Sequence, residues 1–397
     1  MSFTKKKVLS IQESLLSRMG VGRPVNADSF WRRLEKKFGQ KAKDLLTLIE
    51  DRADGSPDSD FWRIKNTNLD LSLWLSGQFM GDFYRAYLSW FNDAVQDRDV
   101  ARILDVGCDN GVLTCCYGVA YPESEIVGID SAPEAVQAGM ELSQRLGLKN
   151  VTFKLLRAEE VRSAQEIGQF DLVTATMTFH SVLEIPGMPL SWSLCNLELP
   201  GSKKWQTLLA DLGAKLEIGG RLVTVERLTS SVGVLWWVDA LSAAGFHILW
   251  PASKLLCYKS KEGAFRLPAL ICDRAFSKST KLEHDVLAFC ASPELLDLAK
   301  GAFEADVAEA LFEALGERTF VWGIEASLEN DLIERFEVWE AGPIVLAYTY
   351  SNVRGRRLVI GSRHQREECI DHGRQYWSKK PHVGIREYSS IVERDRC

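Results

Sequence analysis

Asp105, Gly107, Gly111 and Asp130 combine residue types and spacing suited to holding a nucleotide-like ligand. Ile103, Leu104 and Val106 make a short apolar strand that runs into a glycine-bearing turn and then into a helix. A second strand, Glu125 to Ile129, follows about twenty residues later and carries Asp130 at its carboxyl end. In an open parallel sheet this order puts the turn and the acid at the switch point where nucleotide-like ligands bind. Gly107 and Gly111 let the backbone come close to such a ligand, and Asp130 can accept hydrogen bonds from ribose hydroxyls.

The turn lacks the G-x-G-x-x-G spacing of dinucleotide folds. With Asp105 two residues before the first glycine, it resembles motif I of class I S-adenosylmethionine-dependent methyltransferases, D-x-G-x-G-x-G. One position departs from the pattern: Asp109 stands where the middle glycine usually sits. The resemblance extends over roughly residues 85–275. Phe170 to His180 is similar to the family's fourth strand and the loop after it, and Leu216-Glu-Ile-Gly-Gly-Arg-Leu to the approach to its fifth.

The resemblance implies a seven-stranded Rossmann-like sheet, S-adenosyl-L-methionine as cofactor, and roles for particular residues. Asp105 would orient the glycine loop and lie near the cofactor's ammonium. Backbone groups of Gly107, Cys108 and Asp109 would meet its amino-acid portion. Asp130, with Ser131 beside it, would bind the ribose, and Thr176 would close the fourth strand at the same edge. Where relatives often carry an Asp for the adenine amino group stands Arg157, which cannot accept a hydrogen bond. Either Glu159 or the backbone of Ala158 takes that role. Asp109 reads either as a tolerated variation, since Asp enters unusual backbone angles more readily than most residues, or as a sign of weakened cofactor binding.

Methyl transfer from a sulfonium is an in-line displacement, so the protein chiefly supplies alignment and removal of a proton. His180, after the fourth strand, is the candidate base, because an unperturbed imidazole titrates near neutrality; the alternative is that it only lines the pocket. Glu184 is a second candidate. The following stretch, residues 185–200, is long for a strand-to-helix connection, and such loops are usually functional. Met188, Trp192 and Leu194 would suit an apolar cover. Tyr84 and Trp74 are the expected acceptor contacts from an aromatic helix at 73–91, while Phe79, Phe83 and Tyr87 read as a core-facing stripe.

The elements that must position these residues divide the chain into three parts. Residues 1–95 read as a helical segment, in which Asp28 or Ser29 caps a helix carrying Phe30, Leu34, Phe38, Leu45 and Ile49. Residues 96–275 alternate strand and helix as a parallel α/β sheet does. Strands are expected near 102–106, 125–129, 151–155, 170–175, 221–226, 246–250 and 265–274, the last pair supplying an antiparallel seventh strand. Residues 276–397 read as a small α+β appendage. A helix there carries Leu295, Ala299, Phe303, Val307, Ala310 and Ala314, followed by strands at 336–340, 343–350 and 357–361, a helix near 365–377 and a strand near 383–388.

Composition bounds the function. The 397 residues are 46% hydrophobic and 26% charged, which is ordinary for a globular chain. A net charge of −6 argues against whole-protein attraction to nucleic acid or anionic membrane. No apolar run reaches the ~18–20 residues of a membrane span, and no secretory signal is read in the basic start. Nine cysteines without paired C-x-x-C spacing fit reduced buried thiols rather than disulfides or a metal centre, so the expected setting is cytoplasmic. Arg354, Arg356, Arg357, Arg363, Arg366, Arg374, Lys379 and Lys380 near Tyr376 and Trp377 can bind nucleic acid or form a solvated face balanced by Glu367, Glu368 and Asp371. The leading expectation is methylation of an O or N nucleophile on a small molecule. A protein or RNA acceptor held by the terminal segments is the alternative, and a cofactor-binding protein without transfer activity the third reading. A homodimer is compatible with the chain.

Overall fold

The computed structural model describes residues 13–53, 61–95, 99–179, 202–228, 231–260, 263–274, 303–304, 318–327, 333–342, 344–352, 355–378 and 384–394, with isolated positions at 286, 289, 308 and 312. They form two compact units: 13–179, 203–228 and 240–274 in the first; 231–239 and the described residues from 286 onward in the second.

The first unit opens with helices. Helix α1, Ala27–Phe38, is capped by Asn26, whose side chain accepts from the Ser29 N–H at 3.3 Å. The cap therefore falls two residues before the expected Asp28. Gly39, with φ of 58°, ends α1 and separates it from α2, Gln40–Ala53, so the single helix expected through Ile49 is two. After α3, Phe61–Asn66, comes α4, Leu69–Val95, which is buried on most sides, as expected of a helix apolar nearly all round. The Gln78 side-chain amide pairs with both the N–H and the carbonyl of Val25, tying the entering chain to α4.

The sheet of this unit has the order β3-β2-β1-β4-β5-β8-β6, with β7 also paired to β8. Strands β1 (Arg102–Val106), β2 (Glu125–Asp130), β3 (Val151–Leu155), β4 (Phe170–Thr176) and β5 (Leu216–Val225) are mutually parallel. Their crossovers carry α5 (Val112–Ala120), α6 (Pro133–Leu146) and α7 (Ser202–Gly213). After α8 (Ser231–Ala243) and β6 (Phe246–Ile248), β7 (Lys254–Ser260) and β8 (Gly263–Arg274) form a hairpin. Strand β8 lies antiparallel between β5 and β6, the position expected for the seventh strand. The adjacent Ile103 and Leu104 are both fully buried, because helices cover both faces of a parallel sheet. The β1–β2 and β1–β4 pairings bring the carboxyl ends of those strands to one edge, where the glycine turn, Asp130 and Thr176 meet.

The second unit is an antiparallel sheet in the order β14-β10-β11-β12-β13-β9. Strands β10 (Thr319–Ser327), β11 (Ile333–Ala341), β12 (Ile344–Ser351) and β13 (Gly355–Ser362) form a meander. Helix α9, Arg366–Ser378, follows, and β14, Gly384–Tyr388, pairs with β10 before the short α10, Ile391–Arg394. Trp322, Ile324, Phe336, Val338, Val345 and Trp377 pack together as its largest core cluster. Phe303, expected in a helix, instead forms β9 with Glu304 and pairs with Leu358 of β13; most of the 292–314 segment lies outside the described residues.

Candidate active site

The turn after β1 is built from left-handed backbone. Gly107 has φ of 70°, Asp109 47° and Gly111 77°. A Cβ on Gly107 would stand 2.4 Å from Thr178 Oγ1, so only glycine lets the loop after β4 close against the turn. The Gly107 and Cys108 N–H groups both donate to the Ile129 carbonyl, at 2.9 and 3.0 Å, which locks the turn to β2. Asp130 then receives two backbone donors: Asp109 N–H on Oδ2 and Ala132 N–H on Oδ1, each at 2.9 Å. Two donors fix the carboxylate and still leave acceptor capacity on both oxygens. Burial pushes its carboxyl above the ordinary range, opposed by those same donors.

Beneath the turn, Asp105 is 2% exposed and accepts from Thr114 Oγ1 at 2.6 Å and Thr174 Oγ1 at 2.9 Å. It thus joins α5 and β4 to β1. Burial pushes this carboxyl up to about 6 against the two hydroxyl bonds. The folded protein therefore keeps this proton to higher pH than the unfolded chain, whose aspartates titrate near ~3.9. Between about pH 4 and 6 the native state binds more protons than the unfolded state. Stability from this group falls as pH rises through that window, by on the order of 3 kcal/mol in all. Asp105→Asn should remove that component. The melting temperature of the variant relative to native should rise between about pH 4 and about pH 7; a difference independent of pH would contradict the account.

One cavity of about 800 Å³ spans this edge, a size typical of ligand pockets, roughly 300–1,000 Å³. The turn, Asp130 to Ala132 and Leu156 to Glu159 form part of its lining. Aromatic rings form another part: Phe61, Phe79, Phe83, Tyr84, Tyr258 and Phe265. Tyr258 stacks on Phe265 at 5.3 Å between centroids and meets Phe83 edge-on at 5.7 Å. Burial, aided by the Asp109 charge, raises the Tyr84 hydroxyl above its ordinary range, so it stays a neutral phenol at physiological pH. Arg157, Lys204 and Arg227 line the same cavity and are exposed. A carboxylate beside a glycine turn can hold a ribose diol, and a ring-lined chamber opening from it can receive a flat acceptor.

Residues 97–193 match the family model described as a methyltransferase domain. The chain carries a class I S-adenosylmethionine-dependent methyltransferase domain. The family's cofactor is S-adenosylmethionine. Ribosomal RNA large subunit methyltransferase G of Ectopseudomonas mendocina is 32% identical over 97 residues, covering 24% of this chain and 25% of that protein. Ribosomal RNA small subunit methyltransferase G of Streptococcus equi subsp. zooepidemicus is 32% identical over 124 residues, 28% of this chain and 52% of that one. The chain thus spans about a quarter to a half of the length of the curated relatives it matches. The solved ribosomal protein L11 methylase of Lactobacillus delbrueckii subsp. bulgaricus superposes with a TM-score of 0.33 at 15% identity, over 48% of this chain and 78% of its own.

Asp105, Gly107, Cys108, Asp109, Asp130, Ser131, Ala158, Glu159 and Thr176 of this methyltransferase domain line the cavity together with Tyr84 of α4. The N–H groups of Gly107, Cys108 and Asp109 are engaged with Ile129 and Asp130. Two other positions differ from the expectation. Gly111 does not line the cavity: a Cβ there would stand 2.6 Å from the Phe153 ring, so its smallness serves packing. Trp74 is also absent from the lining. It meets Phe38 edge-on at 6.1 Å under the Lys37 ammonium, facing α1. His180, Glu184, Met188, Trp192 and Leu194 lie outside the described residues.

Three residues not singled out from the sequence shape the site. Lys65 and Asn66 of α3 hold the Asp109 carboxylate, Asn66 Nδ2 at 2.8 Å and Lys65 Nζ in an ion pair. Glu226, fully buried just past β5, accepts the Phe179 N–H at 3.1 Å. It anchors the turn in which Met177 takes a left-handed φ of 55° and Thr178 donates to the Val106 carbonyl at 3.0 Å. The sequence signal for Lys65 and Asn66 was Asp109 itself, since an acid in a glycine position inside a pocket requires a partner. Among the described residues no group of His, Cys, Asp and Glu is arranged to hold a metal ion, and no helix is long and apolar enough to cross a membrane.

Proposed function

We propose that the protein transfers the methyl group of S-adenosylmethionine to a nucleophilic atom on a base of RNA. The observation that carries this reading is the single cavity in which the acid-ended β2 and glycine turn share walls with a chamber of aromatic rings. Bound there, the cofactor supplies a methyl on a sulfonium, which leaves as a neutral thioether. Asp130 accepts from the ribose hydroxyls, with Ser131 beside it. Asp105 braces the turn from below through its two threonines rather than acting as a base. The adenine falls to the Leu156–Glu159 turn, where the Glu159 carboxylate lies 3.8 Å from the Arg157 guanidinium and Ala158 is buried.

The acceptor side is read from Phe79, Phe83, Tyr258 and Phe265. Enzymes that modify a base take it out of its stack and hold it against aromatic side chains. Exposed Arg157, Lys204 and Arg227 at the cavity supply positive charge where the flanking phosphates would pass, in a chain whose net charge is −6. The curated relatives act on ribosomal RNA by name, which supports an RNA acceptor. The smaller reading, a free aromatic compound, is supported by the same rings without the phosphate contacts.

Incubating the protein with methyl-labelled S-adenosylmethionine and cell extract, then separating RNA, protein and low-mass fractions, tests this directly. Label should appear in RNA and become low-mass only after nuclease digestion. Label in a low-mass product distinct from the cofactor before digestion, with none in RNA, would replace RNA by a small acceptor, and label recovered only in the cofactor would remove transfer activity.

A further inference from the structure

We propose that Lys65 and Asn66 are positioning residues for the cofactor, acting through Asp109 on the ribose-binding acid; this rests on the cofactor reading above. Asp109 is gripped at both ends. Its carboxylate is held by Lys65 and Asn66, and its own N–H donates to Asp130 Oδ2 at 2.9 Å. The grip begins in the N-terminal helices: Ser72 Oγ donates to Asn66 Oδ1 at 2.6 Å, and Asn110 Nδ2 donates to Ser72 Oγ and Ser76 Oγ, both at 2.8 Å. Asn66, Ser72, Ser76 and Asn110 are all 4% exposed or less. A buried polar chain of this kind therefore runs from α3 and α4 through the turn to Asp130.

The charges give this chain a sign. The Lys65 side chain is 6% exposed and that of Asp109 26%. Removing one partner of such a pair strands the other, whereas removing both strands neither. Without Lys65, the Asp109 carboxylate faces Asp130 with its negative charge uncompensated, and the two acids repel. Without Asp109, the Lys65 ammonium loses the carboxylate it pairs with beside the turn. Glycine, the residue most relatives of this motif carry, is therefore the wrong residue at 109 while Lys65 is present. Its backbone freedom suits φ of 47°, but it discards the counter-charge.

The test is a double-mutant cycle on affinity for S-adenosylhomocysteine, with melting curves to confirm that each variant is folded. Lys65→Met and Asp109→Gly should each weaken binding on the order of tenfold, as loss of a charge-assisted contact does. The double variant should recover most of the loss, a coupling that independent sites do not show. Lys65→Arg should stay near native. Asn66→Ala, which removes the amide's bonds to Asp109 and Ser72 but no charge, should weaken binding several-fold and keeps the test open should Lys65→Met not fold. A double variant as weak as Lys65→Met would mean that Lys65 meets the cofactor itself and would overturn the proposal, as would native affinity in both Asp109→Gly and Asn66→Ala. Native protein that fails to bind would overturn the cofactor reading with it.

Discussion

Asp130→Ala should lower affinity for S-adenosylmethionine and S-adenosylhomocysteine by about ten- to a hundredfold. The carboxylate is held by two backbone N–H groups and lines the cavity, so it would meet ribose hydroxyls already oriented. Hydrogen bonds to a charged, desolvated acceptor contribute roughly 1.5–3 kcal/mol, and each 1.4 kcal/mol is a factor of ten. Alanine also releases the Asp109 and Ala132 donors, which loosens the turn and adds to the loss. Asp130→Asn keeps one carbonyl acceptor and should fall between alanine and native in equilibrium dialysis against labelled cofactor. Equal affinity in all three would show that Asp130 does not hold the ribose.

The largest stability effect belongs to Phe153. Its ring fills the space that side chains at Gly111, Gly128 and Gly139 would occupy: Cβ atoms there would lie 2.6, 2.8 and 2.6 Å from it. One ring thus packs the glycine turn, β2 and α6 together. Phe153→Ala should cost about 3–5 kcal/mol, the range for a buried Phe whose cavity cannot collapse, read from the urea unfolding midpoint. The three glycines make a reciprocal case. Alanine for glycine inside a helix ordinarily stabilises by about 0.5–1 kcal/mol, but Gly139→Ala within α6 should destabilise because its Cβ meets the ring. A stabilised Gly139→Ala variant would contradict this packing.

What could be read from the sequence was local or topological. Ile103, Leu104 and Val106 before a glycine turn, then Asp130 after a second apolar run, specify strand, turn and acid within thirty residues or so. Right-handed crossovers then bring them to one edge without further information. The antiparallel β8 followed from the family resemblance, which implies a closing antiparallel strand at this place in the chain. The parts not read depend on partners distant in sequence. Helix α3 has only six residues, too few for a period to show, yet it carries Lys65 and Asn66. Strand β10 was missed although Phe320, Trp322, Ile324 and Ala326 alternate along it, because Gly323 weakens a strand pattern; Tyr388 of β14 covers that glycine, with a ring atom 2.5 Å from where its Cβ would stand.

The misplacement of Trp74 has a physical origin. Trp74 and Tyr84 are both aromatic residues of α4, and composition cannot say which face of a helix meets a pocket. Phe38 and Lys37 on α1 claim Trp74, while Tyr84 faces the turn. The break at Gly39 was legible in principle: Lys36 and Lys37 close the last turn of α1, and glycine supplies the positive φ that stops it. Asp109 shows the limit most plainly. As an isolated departure from a glycine pattern it had two readings, and the sequence does not show that Lys65 and Asn66, more than forty residues upstream, hold its carboxylate.

Whether the turn after β1 and Asp130 hold S-adenosylmethionine is read from calorimetric titration of the native protein with S-adenosylhomocysteine, beside Asp130→Ala. The native protein should show one saturable site, and the variant a binding isotherm at least tenfold weaker. Absence of binding by the native protein, or isotherms that coincide, would rule out a cofactor held by this turn and Asp130.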